Sequence, residues 1–182
     1  AVAMIANYWA SRFSSPPSSG ADLALNNPPA TDEGYSLSEL KTLLDAQGLS
    51  AALVGAGLDD LEREIREGRP VIVPVRLPAA YVQTLSLLAI DMPGLDRLKS
   101  YGVRRVAGLS QITRLGLINH FWILAGFDDH RVVVLDPALG YRTLSRKRFE
   151  NLRKAYGNAA IVVGGPRRSD TTTPLSTDRS TN

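Results

Sequence analysis

Residues 119–136 read NHFWILAGFDDHRVVVLD, and this stretch decides how the rest of the chain is organised. Strand-forming residues fill positions 120–127 and 131–135, which predicts two β-strands. The polar run DDH at 128–130 is typical of a tight turn. The stretch therefore predicts a β-hairpin with a histidine at the start of its first strand and an aspartate just after its second.

The length of the turn determines which side chains share a face of this hairpin. With a three-residue turn at 128–130, Trp122 lies opposite Asp136 and His120 lies opposite Ala138, so that His120, Trp122 and Asp136 share one face. His120 and Asp136 are then diagonal neighbours about 7–8 Å apart, within reach of an imidazole and a carboxylate. A two-residue turn would place them on opposite faces. A carboxylate on one imidazole nitrogen fixes the tautomer and leaves the other as a general base, although a capping or surface pair is the alternative.

The remaining patterns predict helices first and strands later. Residues 1–13 are apolar nearly all round, as in a buried helix, and Ser36 with Glu39 forms a capping box that starts a helix over 36–47. Apolar runs at 71–77 and 159–163 predict two further strands. This order indicates an α+β fold in which a helical lobe packs on an antiparallel sheet.

The chain of 182 residues is long enough for one domain with a sizeable core. We assign that domain to residues 1–164. Within it, a loop rich in Ser and Pro is predicted at 14–34, and residues 78–113 are interpreted as an insertion between core strands. Residues 165–182 are predicted to form a disordered tail, because they contain almost no large apolar side chains.

The bulk composition excludes few functions. Net charge is +3 and the basic residues are scattered, so nucleic acid is not implied as a partner. No apolar run reaches membrane-spanning length. The sequence contains no phosphate-binding glycine loop, so no cofactor is predicted. The acidic residues beside His130 lie on one turn, where side chains rarely converge on a metal ion, so no metal site is predicted either. The absence of cysteine leaves the compartment open between the cytoplasm and export.

Several motifs together resemble the C39-like cysteine peptidases, best known as bacterial bacteriocin-processing, double-glycine leader peptidases. They are HFWILAGFDD from 120, VVVLDP from 132, GY at 140–141, LS at 144–145, Phe149 and the run GRPVIVPV at 68–75. The likeness covers most of residues 35–163. It implies a papain-like cysteine peptidase fold with His120 as general base and Asp136 as the group that orients it. It also implies a peptide or protein substrate, and it raises a membrane transporter or secretion machinery as a partner.

The sequence departs from that family in one respect, because it contains no cysteine. The family's nucleophile is a cysteine at the start of a helix, just ahead of a segment similar to residues 1–9, and its oxyanion glutamine lies further upstream. Both are therefore expected before Ala1, in a part of the protein that precedes the given chain. A helix N-terminus is the place where unpaired N–H groups stabilise a thiolate.

Two classes of function remain open at this point. The first is a cysteine peptidase cleaving a peptide or leader substrate. The alternative is a noncatalytic C39-like domain that binds a peptide or secretion substrate, and the presence of both His120 and Asp136 favours the first. A serine hydrolase is a third reading, although no nucleophile elbow is present. Trp122 shares the predicted face, where a core aromatic is the default interpretation and a substrate-binding wall of the groove is the other candidate.

Overall fold

The structure, a computed structural model, describes residues 1–13, 16–32, 34–78 and 117–167. The helices are α1 (Val2–Phe13), α2 (Gly20–Asn26), α3 (Leu37–Ala46), α4 (Leu58–Arg66) and α5 (Arg146–Arg153), followed by a 3-10 turn at Lys154–Tyr156. The strands are β1 (Leu49–Gly55), β2 (Val71–Pro78), β3 (Leu117–Phe127), β4 (Arg131–Asp136), β5 (Gly140–Ser145) and β6 (Ala159–Pro166).

The strands form one six-stranded sheet in the order β1-β6-β2-β3-β4-β5, and all of their pairings are antiparallel. The predicted α+β class with an antiparallel sheet is therefore confirmed. β2 and β3 pair along most of their length, with Val73 opposite Trp122 and Val75 opposite His120. This long pairing places the hairpin of β3 and β4 next to the central strand of the sheet.

Helices cover both faces of the sheet. α1 and α3 pack on one face through Ile5 and Leu44, and α4 and α5 pack on the other through Leu61 and Phe149. Because β2 is covered on both sides, its first five residues are all buried. This explains why the strand appears in the sequence as the continuous apolar run VIVPV and not as an alternating pattern.

The predicted capping box at the start of α3 is confirmed. The N–H of Glu39 donates to Oγ of Ser36 at 3.2 Å, and the N–H of Ser36 donates to Oε2 of Glu39 at 2.7 Å. The N–H of Ala30 also donates to the Glu39 carboxylate, at 2.8 Å. Hydrogen bonds from the Ser36 hydroxyl, the Ser36 N–H and the Ala30 N–H lower the pKa of Glu39 to about 2.

Arg153 is a buried cation at the end of α5. Its Nη2 donates to the carbonyl oxygens of Ala56 at 2.9 Å and Asn158 at 2.8 Å. Arg153 therefore connects α5 to the residue after β1 and to the residue before β6. Burial lowers the pKa of the guanidinium, and the charge of Glu150 acts in the opposite direction. An apolar substitution here would leave both carbonyl groups without this donor.

Three features differ from the sequence predictions. The segment predicted as a loop at 14–34 contains α2, which begins where Oγ of Ser19 accepts the N–H of Asp22 at 3.2 Å. Strand β5 was not predicted, because it is a largely exposed edge strand without an alternating apolar pattern. β6 continues to Pro166, beyond the predicted domain boundary at 164, and the N–H of Arg167 donates to the carbonyl oxygen of Gly48 at 2.9 Å.

The other predicted segments lie largely outside the described residues. The proposed insertion at 78–113 is described only at Pro78, which ends β2, and the predicted tail is described only as far as Arg167. Among the helices in the described ranges, none combines the length and apolar character that a membrane span needs.

Candidate active site

The turn that joins β3 to β4 is shorter than predicted. Phe127 pairs with Val132 instead of Arg131, and the N–H of Asp128 donates to the carbonyl oxygen of Arg131 at 3.0 Å, which leaves a two-residue turn at 129–130. Oδ1 of Asp128 stabilises this turn by accepting the N–H groups of His130 and Arg131 at 2.8 and 2.7 Å. The predicted three-residue turn is therefore wrong.

A β-bulge in β3 compensates for the short turn. Leu124 pairs with Val134 while Gly126 pairs with Val133, so Ala125 is an extra residue with no partner of its own. Beyond the bulge the ladder returns to the predicted register, and counting on from it places Trp122 opposite Asp136. His120, Trp122 and Asp136 therefore share one face as predicted, but a two-residue turn combined with a bulge produces this register instead of the predicted three-residue turn.

Asp136 is the centre of the site, and each of its carboxylate oxygens has a separate set of donors. Oδ2 lies 3.1 Å from Nε2 of His120 and accepts the indole N–H of Trp122 at 2.8 Å. Oδ1 accepts the backbone N–H groups of Ala138 and Leu139 at 2.8 and 3.1 Å. The Asp136 side chain is wholly buried, whereas the His120 side chain is 20% exposed.

The turn after β4 fixes the position of this carboxylate. Asp136 pairs with Gly140 across the start of the β4–β5 hairpin, and Gly140 adopts a φ of 77°, a conformation that glycine tolerates without strain. The two N–H groups bound to Oδ1 belong to the same turn. The local backbone therefore holds one oxygen of the carboxylate, and the other oxygen contacts side chains of β3.

The hydrogen bonds of Asp136 determine the proton on His120. An indole N–H and two backbone N–H groups can only donate, so Asp136 acts as an ionised acceptor toward all three. The contact with His120 then requires the proton to lie on Nε2, and Nδ1 becomes the basic nitrogen of the neutral ring. The arrangement is suited to general base chemistry at Nδ1.

A cavity of about 280 Å³ brings this histidine to the start of α1. Ala1 and His120 both line it, together with Phe121, Pro137 and residues of α2 and α3 such as Leu23. The N-terminal end of α1 and the His120 side chain therefore lie on the same cavity.

Comparison with known proteins identifies the fold but not a sequence family. No protein-family model and no curated protein matches the sequence. Among solved structures, the peptidase domain of Streptococcus ComA, described as a bifunctional ABC transporter of a quorum-sensing pathway, aligns with a TM-score of 0.53. The alignment has 15% identity and covers 88% of each chain. A Bacillus anthracis protein described as a C39-like peptidase aligns with a TM-score of 0.54 and 16% identity, over 92% of this chain and 86% of that one.

The chain has the fold of C39 peptidase domains. The resemblance inferred from the motifs is thus confirmed at the level of the fold. At 15–16% identity the alignments support this statement and no statement about activity.

Trp122 is a core aromatic, as the default interpretation had it, and does not line a substrate groove. It is only 3% exposed and packs in the core with Val73 and Val134, so it has almost no surface to offer a substrate. Its polar atom instead faces Asp136. The interpretation of Trp122 as a groove wall is corrected accordingly, because the side chain is covered by the α4 and α5 side of the sheet.

His130 is exposed on the turn, and across the described ranges no three His, Cys, Asp or Glu side chains gather as metal ligands.

The two backbone N–H donors to Asp136, from Ala138 and Leu139, were not predicted from the sequence. The signal for them is Asp136 itself followed by Pro137 and, after two residues, Gly140, since Asp accepts N–H groups two and three positions on in turns.

Proposed function

We propose that His120 and Asp136 are the general base and the orienting carboxylate of a cysteine peptidase that cleaves a peptide bond in a peptide or protein substrate. The observation that carries this proposal is the contact of 3.1 Å between Nε2 of His120 and Oδ2 of Asp136, on a histidine that shares a cavity with the start of α1. The C39 fold supports it as a likeness of architecture.

The nucleophile in this proposal is a cysteine a few residues before Ala1, at the N-terminal end of the first helix, with an oxyanion-stabilising glutamine further upstream. A thiol at that position would benefit from the helix dipole and from unpaired N–H groups. It would also face the cavity that His120 lines. A serine nucleophile is less suitable, since the depressed pKa that a helix start gives to a thiol is what creates the reactive anion.

The reaction follows from these positions. The thiol proton moves to Nδ1 of His120, and the thiolate attacks the carbonyl carbon of the scissile bond. The imidazolium ion then protonates the leaving amine, which releases the first product and leaves a thioester. Water attacks the thioester as His120 accepts its proton, and the second product leaves as a carboxylic acid. Asp136 stabilises the imidazolium ion and keeps the ring in one orientation throughout.

The proposed substrate class is a secreted peptide with a leader, cut after a double glycine, and the proposed partner is a membrane transporter or secretion machinery. Support comes from the motifs shared with the leader peptidases and from the description of ComA as a bifunctional ABC transporter with a peptidase domain.

The test uses the protein with its upstream residues present and a set of fluorogenic peptides, with and without a double-glycine leader end. We expect His120→Ala to lower kcat/KM by roughly 10²–10⁴-fold, the usual contribution of a general base. Asp136→Asn is expected to lower it by a comparable factor, because an amide at this position favours the wrong tautomer. Replacement of the upstream cysteine by alanine should abolish cleavage.

The chain offers a matched control in its only other histidine. His130 is exposed on the turn at the far end of the same hairpin, so His130→Ala should leave kcat/KM unchanged. The peptidase proposal fails if the upstream segment has no cysteine, or if His120→Ala and His130→Ala cleave equally well. Tight binding of leader peptides without cleavage would instead establish the noncatalytic binding domain.

A further inference from the structure

One carboxylate oxygen of the site has two side-chain partners, a histidine and a tryptophan. Oδ2 of Asp136 contacts His120 at 3.1 Å and also accepts the indole N–H of Trp122 at 2.8 Å. Trp122 lies two residues after His120 on β3, so both reach Asp136 from the same strand. The Trp122 ring is 3% exposed and Asp136 is 1% exposed, so this contact is closed to solvent.

We propose that Trp122 is a positioning residue whose indole N–H holds Oδ2 of Asp136 against His120 and fixes the imidazole tautomer. The inference rests on the proposed function for its catalytic consequence, but its structural content is independent of it. Trp122 touches neither the cavity beside His120 nor the start of α1 in the described contacts, so it acts through Asp136.

The chemistry of the indole explains why this residue type is suited to the task. An indole N–H donates one hydrogen bond and accepts none, so it cannot exchange roles with the carboxylate. Together with the two backbone donors on Oδ1, it makes Asp136 an acceptor on both oxygens. His120 must then donate a proton from Nε2, so that every hydrogen bond of this network points toward the Asp136 carboxylate. A hydroxyl or an amide in place of Trp122 would permit the reverse arrangement.

The alternative role for Trp122 is packing alone, since it contacts the core that includes Val73 and Val134. The two roles differ in what they require of the nitrogen atom. Packing needs the indole rings but not the N–H. Positioning needs the N–H, which shares the acceptor Oδ2 of Asp136 with His120 and so responds to the charge of the imidazole. An experiment that reports on the N–H itself therefore separates them.

The first experiment observes the indole N–H signals of the unmodified protein by ¹H–¹⁵N NMR as the pH is varied. The chain contains two tryptophans, and the second, Trp9, has a buried Nε1 with no hydrogen-bond partner among the described residues. We expect the Trp122 signal to shift with the titration of His120 and to lose that shift in His120→Ala. The Trp9 signal should not follow the titration. A Trp122 signal that ignores His120 would overturn the proposal.

The second experiment compares Trp122→Phe with the matched control Trp9→Phe, each of which removes one indole N–H and keeps an aromatic ring. In Trp122→Phe we expect the ¹⁵N shifts of His120 to indicate a mixture of tautomers, and kcat to fall roughly tenfold at constant KM, as for one lost hydrogen bond to a charged group. Trp9→Phe should change neither. Equal behaviour of the two variants would refute a positioning role.

The two readouts keep this inference separate from the peptidase proposal. If the complete protein cleaves no peptide but the Trp122 signal follows His120, the positioning role stands and the proposed activity fails. If cleavage depends on His120 while Trp122→Phe leaves kcat and the His120 tautomer unchanged, the activity stands and the positioning role fails. Should Trp122→Phe not fold, the titration of the unmodified protein decides the matter.

Discussion

Replacing Asp136 by asparagine should destabilise the protein even though the two side chains have the same shape. The carboxylate accepts from the Trp122 indole on one oxygen and from the backbone N–H groups of Ala138 and Leu139 on the other. An amide has one oxygen and one NH₂ group, so in either orientation its NH₂ group faces a group that can only donate. Asp136→Asn therefore cannot satisfy all of these donors.

The size of the effect follows from the orientation that loses least. If the amide oxygen keeps the two backbone donors, the buried indole N–H of Trp122 is left without an acceptor, which costs about 1–3 kcal/mol. For a domain of this length each kcal/mol lowers the melting temperature by roughly 2–4 °C. Chemical denaturation should give this difference in the free energy of unfolding, with Asp129→Asn on the exposed turn as the control.

A double-mutant cycle tests the cause as well as the size. In the Trp122→Phe background the opposing N–H is gone, so Asp136→Asn should cost less there by on the order of 1 kcal/mol. The reasoning would be refuted if Asp136→Asn were as stable as Asp129→Asn. It would also be refuted if the cost were the same with and without the Trp122 N–H, because the conflict between donors would then have no effect.

Three further predictions concern the frame around the site. Arg153→Met should lower the free energy of unfolding by about 2–3 kcal/mol, since two carbonyl groups lose a charged donor, while Lys154→Met on the exposed surface should be neutral in urea denaturation. Hydrogen bonds lower the pKa of Glu39 to about 2, so its contribution is present above pH 4.5 and is lost as the pH falls toward 2. Glu39→Gln should accordingly reduce the difference in stability between pH 5 and pH 2, and an unchanged difference would contradict the assignment. Deletion of Ala125 should preserve the melting temperature within a few degrees, because it removes only the unpaired residue of the bulge and leaves the faces of its neighbours unchanged, and a larger fall in a thermal melt would contradict this assignment.

Much of the frame was predictable because it depends on local signals. The helix α1, the capping box of α3, the apolar strand β2 and the two strands of the central hairpin all follow from residue type and periodicity, although α1 is buried only along Val2, Ile5 and Ala6 and not all round. Two elements could not be predicted from such local signals. Helix α2 has only seven residues within a segment rich in Pro and Asn, and β5 is an exposed edge strand that gains its structure from pairing with β4.

The candidate site was predictable in composition but not in detail. The pairing of His120 with Asp136 followed from counting along the hairpin, and the contact of 3.1 Å agrees with it. The bulge at Ala125 was missed, although a lone glycine inside a strand, here Gly126, often marks a bulge. The burial of Trp122 depends on the packing of α4 and α5, which are distant in sequence, so period two alone could not assign its face to the core.

The bulge at Ala125 has a consequence for how this hairpin is compared with others. His120 and Asp136 are 16 positions apart, the same spacing as in a hairpin that has a three-residue turn and no bulge. An ungapped alignment of the two would superpose both site residues and still displace every residue between Ala125 and the turn by one step. Spacing between the histidine and the aspartate therefore cannot distinguish the two geometries, and a correct alignment needs an insertion in the strand matched by a deletion in the turn.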